Sequence, residues 1–353
     1  MAGCIHVTAP GGDYDIHIVP GVLRDLNQWL LPARTIIITN ETLVPLYGQK
    51  LAADLPNAML VTMGDGEQFK NLDTVTHLYA DLVSAGLDRS GTIIALGGGV
   101  VGDTAGFVAA TFLRGVRFVQ IPTSLLAMVD SSVGGKVGID LPQGKNLVGS
   151  FKQPEAVFID PAVLATLPER EWRCGMAEVI KHALLADALL LDMIESAADL
   201  SKLAHDPNQA ADLVQRAVQV KVDVVQQDPY EHNIRAHLNL GHTFAHAIEQ
   251  VSRYVWLHGE AVGVGLIAAL RLSARLGLCA EVLARRVERI VAQVGLPTRL
   301  GELDPSALYV AMRTDKKWQA GKSRFALLRD IGQPLIQENI PRADVIHVLE
   351  SLK

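Results

Sequence analysis

Gly91-Thr-Ile-Ile-Ala-Leu96 runs directly into Gly97-Gly-Gly-Val-Val-Gly102-Asp103, and this junction decides the fold. The first stretch is apolar and β-branched, as a buried strand requires. The second satisfies G-x-G-x-x-G through Gly97, Gly99 and Gly102 and opens a helical pattern. Glycines at such a turn let a phosphate approach backbone N–H groups at a helix start. The usual dinucleotide fingerprint also asks for an acid about 20 residues on, at the end of the next strand. That strand ends near Gln120-Ile-Pro122-Thr123 and offers no acid, so this is not an ordinary Rossmann dehydrogenase. Alone, the turn is a weak signal, and a glycine turn that serves only packing is the alternative reading.

Outward from the junction, short β-rich runs alternate with helical spacing. Thr35–Thr39, Ala58–Thr62, Val116–Ile121 and Ala156–Asp160 read as strands, and Leu72–Ala85 and Asp103–Leu113 as helices. Asp160 and Pro161 are an N-cap and first position for a helix from Pro161 to Leu167. The alternation predicts an α/β nucleotide-binding domain over residues 1–171, Rossmann-like with a mostly parallel sheet. Beyond it, 177–198, 207–227, 241–251, 259–276 and 280–294 all read as helices. Residues 172–353 are therefore expected to form an all-α domain that binds metal and substrate, with the active site in a cleft between the domains.

At 353 residues, two domains are the natural expectation. A hydrophobic content of 49% with 20% charged residues describes a soluble globular protein, and no apolar run is long enough to span a membrane. The net charge of −6 argues against nonspecific nucleic-acid binding. Cys4, Cys174 and Cys279 form no CxxC pair, which fits a reducing cytoplasm.

Of the 11 histidines, seven lie between His182 and His258. Arg235-Ala-His-Leu-Asn-Leu-Gly-His242-Thr-Phe-Ala-His246 puts two of them four apart, on one helix face, and His258-Gly-Glu260 follows. Converging imidazoles hold divalent metals, and an arginine beside them suggests an anionic substrate. Glu178, Lys181 and His182 share another helix face. Spacing alone would pair His242 with His246 as ligands; Glu178 and His258 beside them turn the reading to a metal set. In the first half, Thr39-Asn40-Glu41-Thr42 and Asp65-Gly-Glu67-Gln-Phe-Lys70 close two strands where ribose or adenine contacts fit. The stretch to Gly135-Lys136 fails as a P-loop, since Asp130 stands where Gly belongs and Val137 follows the lysine. Lys136, and Lys145 with Asn146, can still hold an anion.

These motifs, in this order, resemble the 3-dehydroquinate synthase family of sugar-phosphate cyclases from about Thr39 to Gly332. The resemblance implies a cytoplasmic homodimer using NAD and Zn2+ or Co2+. It implies conversion of 3-deoxy-D-arabino-heptulosonate 7-phosphate to 3-dehydroquinate and phosphate, in the shikimate route to aromatic amino acids. The course would be transient oxidation by NAD, phosphate elimination, reduction, ring opening and intramolecular aldol closure. Carried over by position, Glu178, His242 and His258 are the metal ligands, and His246, Glu231 and Lys181 are catalytic. Substrate contacts are Arg114, Asp130, Lys136, Asn146, Lys221, Arg235, Asn239 and one of Lys316 and Lys317. Cofactor contacts are Asn40, Glu41, Thr42, Glu67, Lys70, Gly98, Gly99, Asp103, Thr123, Ser124, Lys145 and Thr166. Some family members carry Asp where Asn40 stands. The alternatives are another sugar-phosphate cyclase, which would not need Lys136, Asn146 and Arg235 together for a carboxylate, and a metal-dependent polyol dehydrogenase resembling glycerol dehydrogenase.

Overall fold

The computed structural model describes residues 3–29, 34–197, 200–314 and 323–353. The chain forms two compact units, Met1–Leu167 with Lys202–Val222, and Pro168–Ser201 with Asp223–Lys353.

The first unit opens with an antiparallel hairpin, β1 (Gly3–Val7) and β2 (Tyr14–Ile18). β3 (Thr35–Asn40), α1 (Gln49–Asp54), β4 (Ala58–Met63), α2 (Leu72–Ser84), β5 (Thr92–Gly97), α3 (Gly99–Thr111) and β6 (Arg117–Pro122) then alternate. β7 (Lys136–Leu141) and β8 (Gly144–Phe151) make a separate antiparallel ribbon, and β9 (Ala156–Ile159) returns to the main sheet. That sheet runs β1-β2-β9-β6-β5-β3-β4, parallel in every pairing from β2 to β4. Alternation along a strand explains the burial of both faces. On β3, Ile36 and Ile38 enter one apolar cluster with α2 and α3 residues, while Ile37 enters another with Leu26, Leu51 and Phe158. Asn71 caps α2 by accepting from the Thr74 N–H at 2.9 Å.

α3 begins at Gly99, a turn earlier than the expected Asp103, because the glycines themselves wind its first turn. It ends at Thr111 because Leu113 and Arg114 have φ of 50° and 68°, left-handed values that no α-helix accepts. Asp160 is the cap expected of it, accepting from the Ala162 N–H at 3.0 Å, and the turn behind it runs to Thr166.

The second unit is mainly helical: α4 (Glu169–Ala186), α5 (Ala188–Ser196), α8 (His242–Val251), α9 (His258–Arg275), α10 (Glu281–Val294), α11 (Pro305–Thr314) and α12 (Arg342–Ser351). α6 (Ser201–His205) and α7 (Pro207–Gln227), up to Val222, belong mostly with the first unit. The helix expected over 177–198 is two helices, since Asp187 leaves helical geometry and caps α5 through the Leu190 N–H at 3.0 Å. A hairpin, β10 (Arg324–Leu328) and β11 (Pro334–Glu338), is added to the expected helices. Among the described residues, no helix is long and apolar enough to cross a membrane.

Candidate metal centre and nucleotide edge

Three helices of the second unit bring Glu178 (α4), His242 (first residue of α8) and His258 (first residue of α9) together. Two glycines permit the approach. Gly241 has φ 78°, and a Cβ there would stand 2.8 Å from the Leu266 backbone nitrogen of α9. A Cβ on Gly259 would overlap the Cys174 backbone of α4. One donor atom from each of Glu178, His242 and His258 lies within 4.8 Å of the others.

Glu178 Oε1 is 3.4 Å from His242 Nε2 and 3.3 Å from His258 Nε2. Neither Glu178 oxygen makes a well-directed hydrogen bond, although both are buried. Ligands of a tetrahedral zinc, with bonds of about 2.0–2.1 Å, stand about 3.3–3.4 Å from one another. The other ring nitrogens are already engaged: His242 Nδ1 lies 3.1 Å from the Leu240 carbonyl, and His258 Nδ1 lies 3.5 Å from Glu249 Oε2. Such partners fix the tautomer and leave Nε2 for a metal. Burial and the Lys181 charge push His242 down to about 4, so its ring is neutral at neutral pH. Burial also opposes charge on His258, but the adjacent Glu178 and Glu249 carboxylates outweigh it and raise the group to about 10. Burial opposes charge on Glu178 too, yet Lys181 and then His242 hold its carboxyl well below the usual range. A centre of two buried carboxylates and two imidazoles that calls for positive charge fits a divalent cation with one carboxylate and two nitrogen ligands.

His246 lies one turn along α8, half-buried, its ring 5.7 Å from that of His242 at 87°. Among the described residues, the donor cluster does not include it, so the structure groups His242 with Glu178 and His258 where spacing alone pairs it with His246. Lys181 is buried with its Nζ against Glu178 Oε2. Asp228 builds the neighbouring turn: its carboxylate accepts the N–H groups of His232, Asn233 and Arg235 at 2.9, 2.7 and 3.0 Å. Within that turn Glu231 takes a left-handed φ of 61° and accepts from Asn239 Nδ2 at 3.0 Å. Arg235 is buried and donates to the Pro229 carbonyl. Glu260 anchors the start of α9, accepting from Arg170 Nε and Nη2 at 2.7 and 2.9 Å and from the Leu257 N–H at 2.9 Å.

In the first unit, strand order reverses between β3 and β5, since the chain leaves β3 outward to β4 and then returns to β3's other side. Ligands of open parallel sheets bind at the carboxyl ends of the strands at such a point. Asn40, Glu41 and Thr42 follow β3; Glu67 and Lys70 follow β4; Gly98, Gly99 and Asp103 follow β5; Thr123 and Ser124 follow β6; Thr166 follows β9. All occupy that edge, where Thr123 N–H donates to the Gly97 carbonyl at 3.0 Å. Buried Lys70 donates to Asp103 Oδ2 and to Asn146 Oδ1, both at 2.6 Å. Burial raises the Asp103 carboxyl against the pull of Lys70. Lys145 Nζ stands 3.4 Å from Glu67 Oε1. Asn146, expected at substrate, is thus tied to the Lys70 network. Lys221 donates to the Asp130 carboxylate and carbonyl, both at 2.6 Å. Lys136 is exposed at the start of β7. Arg114 is not with the others: it is exposed between α3 and β6, at the amino edge of the sheet. Lys316 and Lys317 lie outside the described residues.

Sequence reasoning missed three positioning groups. Glu249 stands seven residues after His242, on the same face of α8, a spacing that could have shown it. Asp228 carried no periodic signal. Asp65, given no role of its own in the Asp65-to-Lys70 stretch, accepts from Asn40 Nδ2 at 2.8 Å and Thr42 Oγ1 at 2.7 Å, so it orders the end of β3.

Residues 60–174 match the N-terminal family description of 3-dehydroquinate synthase, and 175–318 the C-terminal one. The 3-dehydroquinate synthase of Halorhodospira halophila is 45% identical over 92% of both chains. That of a Synechococcus species is 43% identical over 100% of this chain and 99% of its own. The fold is similar to that of 2-epi-5-epi-valiolone synthase from Streptomyces hygroscopicus, solved with NAD+ and Zn2+ bound, at 29% identity, TM-score 0.90 and 98% coverage of both chains. The chain belongs to the 3-dehydroquinate synthase family.

Proposed function

We propose that the protein is a 3-dehydroquinate synthase, a carbon–oxygen lyase that converts 3-deoxy-D-arabino-heptulosonate 7-phosphate to 3-dehydroquinate and phosphate in the shikimate pathway. The observation that carries this is 45% identity over 92% of the chain to a curated 3-dehydroquinate synthase, against 29% to the valiolone synthase. Its cofactors are NAD and a divalent cation, Zn2+ or Co2+; when bound, NAD takes up and returns a hydride and the cation acidifies substrate hydroxyls.

The chain's residues then have these tasks. Glu178, His242 and His258 hold the cation, with Glu249 fixing the His258 ring. Lys181 balances the buried Glu178 charge and offers a proton beside it. His246 exchanges a proton with a substrate oxygen, and Glu231, steadied by Asn239, accepts one. Arg235, Asn239, Asp130, Lys136, Lys221 and a lysine of the 316–317 pair bind a substrate that carries both carboxylate and phosphate. The carboxyl-edge residues, with Lys70 and Asp103 at their centre, hold NAD. Asn146 joins the two roles by its bond to Lys70.

The proposal extends to a cytoplasmic homodimer. The free cysteines suit a reducing compartment. Arg114 favours the dimer: α3 separates it by about 20 Å from the glycine turn, so a second copy offers it a route to substrate. Mixing Arg114→Ala with His246→Ala protein should restore turnover that neither has alone; no restoration would remove this support.

Offering carboxylated and carboxylate-free sugar phosphates in parallel tests the substrate assignment. Turnover of the heptulosonate phosphate is expected to dominate. Preference for a carboxylate-free sugar phosphate would favour another cyclase, and stoichiometric NADH from a polyol would favour a dehydrogenase.

A further inference from the structure

Far from these residues in the sequence, the β1–β2 hairpin carries donors of its own. The register pairs Cys4 with His17 and His6 with Asp15. Residues two apart on a strand share a face, so all four side chains leave one side of the hairpin. The opposite side carries the buried Ile5, Val7, Ile16 and Ile18. Cys4 Sγ, a carboxylate oxygen of Asp15 and a ring nitrogen of His17 all lie within 4.8 Å of one another. Three neighbours pre-set this cluster. His6 Nδ1 stands 2.7 Å from Asp15 Oδ1 and orients the carboxylate. The His17 ring stacks on Phe158 at 5.0 Å and 16°, and meets Trp29 at 4.9 Å, which limits its rotamers.

We propose that this face of the hairpin binds a second divalent transition-metal ion of the zinc type through Cys4, Asp15 and His17, with His6 holding Asp15. A thiolate, an imidazole and a carboxylate select zinc or cobalt over magnesium and calcium, which prefer oxygen ligands throughout. The Cys4 proton passes to solvent as the metal binds. Three protein donors at a half-exposed site leave a position for water and make the ion exchangeable.

Cobalt titration of the full-length, untagged protein tests this. Cobalt held by Glu178, His242 and His258 meets only oxygen and nitrogen. Cobalt on Cys4 gains a thiolate-to-metal charge-transfer absorption, which therefore reports the hairpin whatever the buried centre does. Two equivalents are expected, the weaker one bringing the absorption. Cys4→Ser should abolish that absorption and the second equivalent while leaving turnover unchanged, and His17→Ala should weaken the second equivalent at least tenfold. Cys279→Ser should change nothing. Binding without thiolate absorption, or absorption that survives in Cys4→Ser, overturns the proposal.

Discussion

Replacing Glu249 by Gln removes a charge behind a metal ligand with almost no change of volume. Glu249 is 4% exposed, and its Oε2 stands 3.5 Å from His258 Nδ1. An outer carboxylate of this kind typically accounts for about 10- to 100-fold in metal affinity, or about 1.4–2.8 kcal/mol. The separation is long for a hydrogen bond, which places the charge contribution at the lower end. The amide oxygen of Gln can still accept from Nδ1–H and keep the ring oriented. Glu249→Gln should therefore weaken Zn2+ binding about tenfold, and Glu249→Ala, which also frees the ring, about 100-fold. Competition for Zn2+ against a chromophoric chelator measures both. At saturating metal, turnover should return close to wild type, because Glu249 holds a ligand and does not touch substrate. Unchanged affinity in both variants would refute the orienting role. Intact affinity with lost turnover would place Glu249 at the substrate instead.

Three further outcomes follow from the same geometry. His242→Ala should lose the metal while His246→Ala keeps it and loses catalysis, as elemental analysis and turnover will show; equal metal loss would restore the simpler HxxxH reading. Arg235→Ala should lower kcat/KM for the heptulosonate phosphate about 10- to 100-fold, the loss of a charge-assisted hydrogen bond, without weakening NAD+ binding. A change in NAD+ affinity alone would move Arg235 away from substrate. Asp65→Ala frees Asn40 and Thr42 and should raise the KM for NAD+ several-fold with kcat little changed, costing about one net hydrogen bond; an unchanged KM would leave Asp65 a surface residue.

Local chemistry made the parallel sheet legible. The runs at Thr35, Gly91 and Val116 match β3, β5 and β6 to within a residue because these inner strands are largely buried and read as continuous apolar segments, and the run at Ala58 matches the edge strand β4, which is only partly buried. The β1–β2 hairpin was not read, although its burial alternates, because each strand has only five residues and mixes in Cys, His and Asp. The break at Asp187 was hidden because the apolar pattern continues through it, and only the cap to Leu190 reveals it. At the buried centre, spacing showed that His242 and His246 share a helix face but not which of them turns toward Glu178. That choice depends on how closely α8 and α9 pack, which Gly241 sets through the Leu266 backbone. The carry-over by resemblance chose Glu178, His242 and His258, and these are the donors that cluster. Asn146 was placed with substrate by the resemblance alone; in the structure its backbone has a left-handed φ of 53° and its side chain meets Lys70.

The proposed lyase uses NAD without consuming it. Its most direct test is phosphate release from 3-deoxy-D-arabino-heptulosonate 7-phosphate by metal-loaded protein with NAD+ far below the substrate concentration. Many phosphates per NAD+, an equal yield of 3-dehydroquinate and no net NADH absorbance are expected. Phosphate release that stops at one per NAD+ with NADH accumulating, or no release at all from the metal-loaded protein, would contradict it.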